Sequence, residues 1–552
     1  MKKATTLLLS ILFLSLLLRL YGQSQTPPSL NWDEVSHGYN AYSVLKTGAD
    51  QWGKLLPLDN FRAYGDYPLP ANLYLTIPFI LVLGLSQLAI RLPSILLGAF
   101  LVIPGYFLSR QLVKNKKIAL LTALLLAVSP WTVLPGRAVF QSTIALFFFT
   151  SALALFFQSI KKPRLLPLAV ICYGISAYSY HNARIVSVLL LPFLLFFFFR
   201  QILPRWKKPF KKLLFFSGGF LLLFFLPLVF ILTSNSGRAR ADWVFLIDQG
   251  AINNIESLRN HSTFPQPLTR LAYNKVTYFA TQGTLNFLGY FSPQFLFLSG
   301  GTQYQYSVPG FGLIFPVFLP FFYFGLFLLI LKFVREKDPR LGIILLALIM
   351  APLPGAITQG QDHVLRAALM VPFVVFACSY GLIVSLSWLK YKSRLAANLV
   401  KIIVIFSSLF TFSLYLRDLF LTYPSAYSWS WQYGYQEAVA FTKANYNRYE
   451  RIIFTKKYGE PHEFVLFFWP WNPASYRNDP NLVRYYRSDW YWVDSFAKFY
   501  FVNDWEVKSK EASLVIPGKT LLVTSPGNYL GGQKIGTIDF LDGSAAFDLV
   551  SL

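Results

Sequence analysis

Long apolar runs separated by short polar turns dominate the first 420 residues of this chain. Stretches such as 189–199 and 220–232 carry no charge at all. Apolar segments fall at 4–20, 92–108, 118–135, 144–157, 165–180, 186–199, 210–232, 309–331, 341–356, 367–389 and 396–416. Most approach the roughly 20 residues that a helix needs to cross a bilayer. A further apolar stretch at 69–85 is short and interrupted by Pro70, Pro78 and Gly84, with Pro68 just before it. Beyond residue 417 the pattern changes to that of a soluble domain. It predicts a helix near 435–445, a strand at 451–455, and strands near 520–524 and 534–540. The expected fold class is therefore an α-helical polytopic membrane protein with a C-terminal α/β domain, divided into residues 1–420 and 421–552.

Charge settles how the segments thread. Basic residues gather in the turns containing Arg110, Lys114, Lys116 and Lys117, then Lys161, Lys162 and Arg164, then 200–212. The series ends with Lys332, Arg335, Lys337 and Arg340, and with Lys390, Lys392 and Arg394. If 69–85 does not cross, all of these turns share the cytoplasmic side with Lys2 and Lys3, as the positive-inside rule requires. Residues 69–85 are thus expected to form a juxtamembrane or re-entrant helix, leaving about eleven crossings. Residues 21–91, 131–143, 180–185, 233–308, 357–366 and the tail from Arg417 then lie outside the cell membrane. The chain is 552 residues long, 55% hydrophobic and only 14% charged, with a net charge of +25. Because the basic residues sit in short turns between apolar runs, that charge points to membrane topology and not to nucleic acid. Cys172 and Cys378 lie within apolar segments and make no disulfide framework or zinc motif. The N-terminus resembles a signal peptide, but the sequence from Arg19 to Gln23 has no small-residue cleavage site, so 4–20 is expected to remain as the first crossing.

The sharpest polar constellation is Asn31-Trp32-Asp33-Glu34. Adjacent carboxylates near a bilayer surface repel one another and lose hydration unless they have a use. A general base needs such a group within hydrogen-bond reach of an attacking oxygen. Equally, Asp33 could cap a helix running through Tyr39 to Leu45, with Glu34 in its first turn. Further polar groups recur on the outer side: Asp66 before the prolines, Arg91 in Ala89-Ile90-Arg91-Leu92-Pro93-Ser94, and Arg137 and Gln141 after Trp131. His181 and Arg184 follow in one turn, His363 and Arg366 in another. Each turn alone reads as ordinary loop polarity or as snorkelling arginine. Together, arginines on the side where basic residues are disfavoured make a candidate phosphate site. The tail residues Trp429, Trp431, Trp469, Trp471, Trp490 and Trp492 could stack on sugars. Packing in the domain's own core or at the membrane interface explains them better. No Walker loop, dinucleotide glycine pattern or His-Glu-x-x-His zinc motif occurs.

Trp32-Asp33-Glu34 after one membrane helix, a proline-rich lead-in to a juxtamembrane helix, and Ala-Ile-Arg-Leu-Pro-Ser opening the next span resemble the GT-C glycosyltransferases. More narrowly they resemble the bacterial glycosyltransferase family 39 group, related to protein O-mannosyltransferases and aminoarabinose transferases. The resemblance is good over residues 1–200 and weaker to about 420. In the tail, the run from Tyr427 to Tyr435 looks like that of uncharacterised bacterial members. It implies a polyprenyl-phosphate sugar donor, an extracytoplasmic acceptor of protein, lipid or envelope glycan, and inversion by single displacement. It also implies Asp33 as the base, supported by Glu34. Many relatives carry Lys ahead of the prolines, where this chain has Asp66-Tyr67-Pro68, and an acidic residue where it has Gln141. The donor phosphate would then fall to arginines, with Asp66, Arg91, Arg137, Gln141, His181, Arg184, His363 and Arg366 as the binding set.

A polyprenyl phosphate leaves readily once an Arg, a Lys or a bound divalent metal neutralises it. The rival reading is a transporter or flippase of polyprenyl-linked glycans. Transporters tend to show repeat symmetry and polar residues at mid-membrane, whereas here the polar clusters lie in turns. Topology is directly testable. Cysteines placed at Asn115 and Ser393 are expected to label only from the cytoplasm, and ones at Asn182 and Asp362 only from outside. Labelling at Asn115 from outside would mean that 69–85 crosses.

Overall fold

The computed structural model describes residues 2–65, 67–206, 210–233, 245–487, 490–509 and 518–552. They form two compact units. One comprises Met1–Arg19, Ser94–Gly136 and Phe140–Tyr415; the other comprises Leu20–Pro93, Arg137–Val139 and Leu416–Leu552. The expected division at residue 420 thus differs from the observed one. The first polar loop belongs with the C-terminal sheet, because its helices share that sheet's hydrophobic core.

The first unit is a helical bundle. Nine helices among the described residues are long and apolar enough to cross a membrane: Lys3–Leu20, Gln87–Val113, Gln141–Ser159, His181–Arg205, Lys212–Phe230, Pro316–Glu336, Pro339–Ala356, Ala368–Lys392 and Arg394–Ala426. A tenth candidate is the pair Lys116–Val128 and Pro130–Arg137, bent by 62°. The bend follows from Pro130, which lacks an amide hydrogen and crowds the preceding turn. Thr132 Oγ1 accordingly turns back to donate to Leu126 O at 2.8 Å. The remaining expected crossing, 165–180, is a shorter apolar helix, Pro163–Ala177. Tyr173 and Ser176 tie it in by donating to Ser187 O and Ala145 O. The chain is a multi-pass membrane protein by these helices. Both cysteines are free and buried.

Buried arginine also appears where the sequence does not announce it. Arg19, at the end of the first helix, donates to Ser15 Oγ, Ala127 O and Thr132 O at 2.8–3.2 Å. A Cβ on Gly136 would come within 2.7 Å of its Nε, so glycine there makes room for the guanidinium.

The second unit is built on a seven-stranded sheet. Its strands are β1 (Arg451–Thr455), β2 (Val483–Arg487), β3 (Trp490–Phe496), β4 (Phe499–Val502), β5 (Thr520–Thr524), β6 (Gln533–Asp539) and β7 (Ala545–Ser551), in the order β2-β3-β4-β1-β5-β7-β6. The central β1 runs parallel to β4 and β5, and the other pairs are antiparallel. Central β1 and β5 have apolar middles, Ile452-Ile453-Phe454 and Leu521-Leu522-Val523, and are almost wholly buried, as strands covered on both faces must be. The sequence-predicted helix is Tyr435–Ala444, and the predicted strands are β1, β5 and β6.

Onto this core pack the helices Trp32–Thr47, Pro70–Leu83 and Pro461–Phe468. Val35, Tyr39 and Leu73 are fully buried among Phe464, Phe467 and Phe496. Pro70–Leu83 turns Leu73 and Ile80 inward but leaves Leu81 and Val82 70% and 80% exposed, as suits a helix at a membrane surface.

Gly38 lies where the Trp32–Thr47 helix closely approaches the Pro461–Phe468 helix. A Cβ there would stand 2.6 Å from Phe467 and 2.9 Å from Ile90. Gly38→Val is therefore expected to overpack the core and destabilise this unit by about 1–3 kcal/mol. Its thermal unfolding midpoint against that of the parent protein checks this.

Candidate functional site

The helix Trp32–Thr47 begins at a capping box. Asn31 Oδ1 accepts the Glu34 amide at 2.9 Å, and Glu34 Oε2 accepts the Asn31 amide at 3.3 Å. Asn31, not Asp33, is therefore the cap. Asp33 stands exposed on the first turn, whereas Glu34 is buried.

Glu34 is held by Arg91. Arg91 Nε donates to Oε1 at 2.9 Å and Nη2 to Oε2 at 2.8 Å, with both side chains 0% exposed. The Val139 amide supplies another donor to Oε1 at 2.9 Å. The remaining Arg91 donors meet Ser29 O at 2.6 Å and Gln23 Oε1 at 3.1 Å, and Trp431 lies beneath its plane. Arg137 is equally enclosed: it donates to Thr26 O at 2.7 Å and Tyr21 O at 2.6 Å, with Phe420 against its face.

These contacts revise the phosphate-binding set. Arg91 and Arg137 are internal struts here, since neither presents surface to a ligand. Arg184, 4% exposed, donates to Ala177 O at 3.3 Å and lies over the Tyr178 ring. Asp66 lies outside the described residues.

Arg366 differs. It is half-buried, donating to Thr358 Oγ1 at 2.8 Å and to Gln359 O. The turns around it do converge within the helical unit. Asn182 Nδ2 donates to Arg366 O at 3.2 Å, Trp131 Nε1 donates to Val364 O at 3.3 Å, and the His363 and Tyr306 rings lie 5.2 Å apart. His181 opens the helix His181–Phe197, and Gln141, partly exposed, opens the helix Gln141–Ser159.

The surroundings of Asp33 hold Tyr64, Gln432 and Glu460, which sequence reading did not single out, beside Trp32 and Trp490, which it did. Tyr64, itself buried, donates its hydroxyl to Asp33 Oδ1. Trp490 stacks on Tyr64 with centroids 5.1 Å apart, and Trp32 lies 5.8 Å from it on a tilt. Trp490 Nε1 in turn donates to the buried Glu460 Oε1 at 2.5 Å. Gly459, at φ +115°, lets the backbone pass directly against the Trp32 ring, and Gln432 Oε1 accepts the Trp32 amide at 2.9 Å. Of the tail tryptophans, Trp431 is fully buried, Trp469 and Trp471 pack on the core, Trp429 is exposed, Trp492 donates to Arg487 O, and Trp490 stands beside Asp33's partner.

Electrostatics keep Tyr64 a donor. Burial, then the Asp33 carboxylate and its hydrogen bond, then Glu463 and Glu460, push the phenol well above its ordinary range. Burial likewise raises the Glu460 carboxyl, opposed by His462 and by the Trp490 bond. Glu463 Oε1 accepts Gln51 Nε2 at 2.7 Å and Ser36 Oγ at 3.1 Å. The run Glu460-Pro461-His462-Glu463 at a helix start was the available signal for this cluster.

Among the described residues no group of three or more His, Cys, Asp or Glu is placed to hold a metal ion. Asp33 and Glu34 do not fit a shared metal site, because both Glu34 oxygens already accept from Arg91.

Breaking a buried, hydrogen-bonded ion pair from one side leaves an uncompensated charge, at about 3–5 kcal/mol. Arg91→Ala is accordingly expected to act on folding, lowering the unfolding midpoint steeply. A variant with a normal midpoint would return Arg91 to the list of ligand-facing residues.

Residues 66–231 match the family of dolichyl-phosphate-mannose-protein mannosyltransferases, so the match starts beyond Asp33 and Glu34. No curated protein matches the sequence. Among solved structures, the Archaeoglobus fulgidus oligosaccharyltransferase in complex with Zn and sulfate is similar, with a TM-score of 0.51 at 14% identity over 84% of this chain and 61% of that one. The same protein tethered with an acceptor peptide gives 0.50 at 14% identity over 84% and 63%. ArnT from Cupriavidus metallidurans in the apo state aligns over 100% of this chain and 97% of its own, at 11% identity and a TM-score of 0.49. The chain spans under two thirds of the length of the archaeal protein. The helical bundle with its C-terminal sheet domain has the fold of the GT-C glycosyltransferases, and over residues 66–231 the chain is similar to their protein mannosyltransferase branch.

Proposed function

We propose that this protein is a membrane glycosyltransferase that moves a sugar from a polyprenyl-phosphate donor to an extracytoplasmic acceptor, with Asp33 as general base. The observation that carries the reading is the exposed Asp33 carboxylate, anchored by a buried phenol while its neighbour Glu34 is turned inward and neutralised. A carboxylate that is fixed, ionisable and open to solvent meets the geometric need of a base. Trp32 and Trp490, both half-buried around Tyr64, offer aromatic surface on which the apolar face of a sugar ring can stack. The match of residues 66–231 to enzymes named for a dolichyl-phosphate sugar supports the donor class.

In the reaction, Asp33 takes the proton of the acceptor hydroxyl as its oxygen attacks the anomeric carbon. The bond to the polyprenyl phosphate breaks on the opposite face, so the configuration inverts. Glu34 acts through structure: it fixes the helix turn that carries Asp33. The outer turns and the sheet unit lie on the extracytoplasmic side in this reading.

Asp33→Asn keeps size and the Tyr64 contact, and leaves the Asn31 cap untouched. It is expected to fold normally and to lower turnover about 100-fold or more. Tyr64→Phe removes a donor that favours the ionised carboxylate, so the base protonates more readily. The acid limb of the rate–pH profile is then expected to move to higher pH, with a smaller loss at its plateau. Polyprenyl phosphate released from a panel of polyprenyl-phosphate sugars is the measurement. An Asp33→Asn enzyme near the parent rate would remove Asp33 as the base.

A further inference from the structure

A second feature lies entirely within the helical unit, among the turns the charge pattern assigns to the cytoplasm. A cavity of about 760 Å³ opens there. Six cationic side chains line it, namely Arg110, Lys114, Lys116, Lys161, Arg205 and Arg340. The one carboxylate among its described lining residues, Asp338, already pairs with Arg340 at 2.6 Å. Arg340 is further fixed by donating to Gln111 O at 2.8 Å. Arg110 makes one bond, to Lys114 O at 2.5 Å, among the described residues, which leaves other guanidinium hydrogens for a ligand.

The positive-inside rule explains why these residues occupy this end of the bundle, but not why they surround a cavity. Lys390, Lys392 and Arg394 obey the same rule and stand outside it. Like charges drawn from several turns around one space repel unless an anion sits between them. The lining also includes four aromatic rings, Tyr106, Phe107, Phe157 and Phe197. Phe107 is 41% exposed, so the aromatic lining continues onto the outer surface of the bundle. A volume within the usual ligand range of roughly 300–1,000 Å³ exceeds what inorganic phosphate fills.

We propose that this cavity binds the phosphate head group of an anionic bilayer lipid, with the acyl chains leaving along the aromatic rings. Basic pockets between membrane helices take phosphorylated head groups in this way. The site is independent of Asp33 and of the proposed reaction.

The test uses full-length protein in nanodiscs of phosphatidylcholine containing a minor share of phosphatidylglycerol. The variant K114Q/K161Q/R205Q changes exposed side chains that line the cavity. The variant K390Q/K392Q/R394Q removes the same charge outside it. Native mass spectrometry after mild delipidation counts the retained phosphatidylglycerol, and thermal unfolding checks that each variant is folded. The parent and the second variant are expected to retain the lipid, and the first to lose it at least tenfold. Equal retention in all three, or equal loss in both variants, would overturn the proposal. So would displacement of the lipid by millimolar inorganic phosphate, which would make the cavity a site for free anions.

Discussion

The buried pair between Glu34 and Arg91 is the contact on which the polar unit depends. Two charges removed from water gain only if nearly every lone pair and hydrogen is matched. Here the Glu34 oxygens accept from Arg91 and from the Asn31 and Val139 amides, while Arg91 also reaches Ser29 and Gln23. One ion pair thus joins the start of a helix to the loop before it, to Arg91 on the Gln87–Phe100 helix, and to residue 139. Successive helical residues project about 100° apart. With Glu34 drawn inward, Asp33 has to face away from that pocket, and the buried pair thereby decides which of two adjacent carboxylates meets solvent.

What holds Asp33 comes from far along the chain. Tyr64 donates to it, Trp490 in β3 stacks on Tyr64, and Glu460 anchors the Trp490 indole. The sheet therefore does more than present a surface. Its edge hairpin and the start of the Pro461–Phe468 helix set the position of the phenol. Burial first, then the Asp33 carboxylate and the buried Glu463 and Glu460, push that phenol well above its ordinary range, so it stays a donor.

Much of the architecture is legible in the chain because it rests on local pattern. Each expected apolar run corresponds to a helix, and 451–455 and 520–524 coincide with β1 and β5. Strands β2 and β3 escaped because their mixture of Arg, Tyr and Trp lacks clean alternation, and β4 because four residues make too short a run. The union of residues 20–93 with the tail escaped for another reason: it is written in contacts such as Trp32 with Gln432 and Ser36 with Glu463, some 400 residues apart. For the candidate site, the acidic pair was visible but not which member turns inward. That choice is made by Arg91, whose burial no periodicity reveals.

The arginines show why loop position misled. The segment from Tyr21 to Ser29 contains Pro27 and Pro28 and forms neither helix nor strand, yet much of it is buried. Its carbonyls would go unpaired without outside donors, and an unpaired buried carbonyl is strongly disfavoured. Arg137 meets Tyr21 O and Thr26 O, while Arg91 meets Ser29 O. A planar guanidinium with five donors can serve several carbonyls and a carboxylate at once, which the single ammonium of Lys cannot. Arginine in these loops therefore has a structural reason to exist that is independent of any phosphate, and of Arg91, Arg137, Arg184 and Arg366 the last keeps the most surface to offer a ligand.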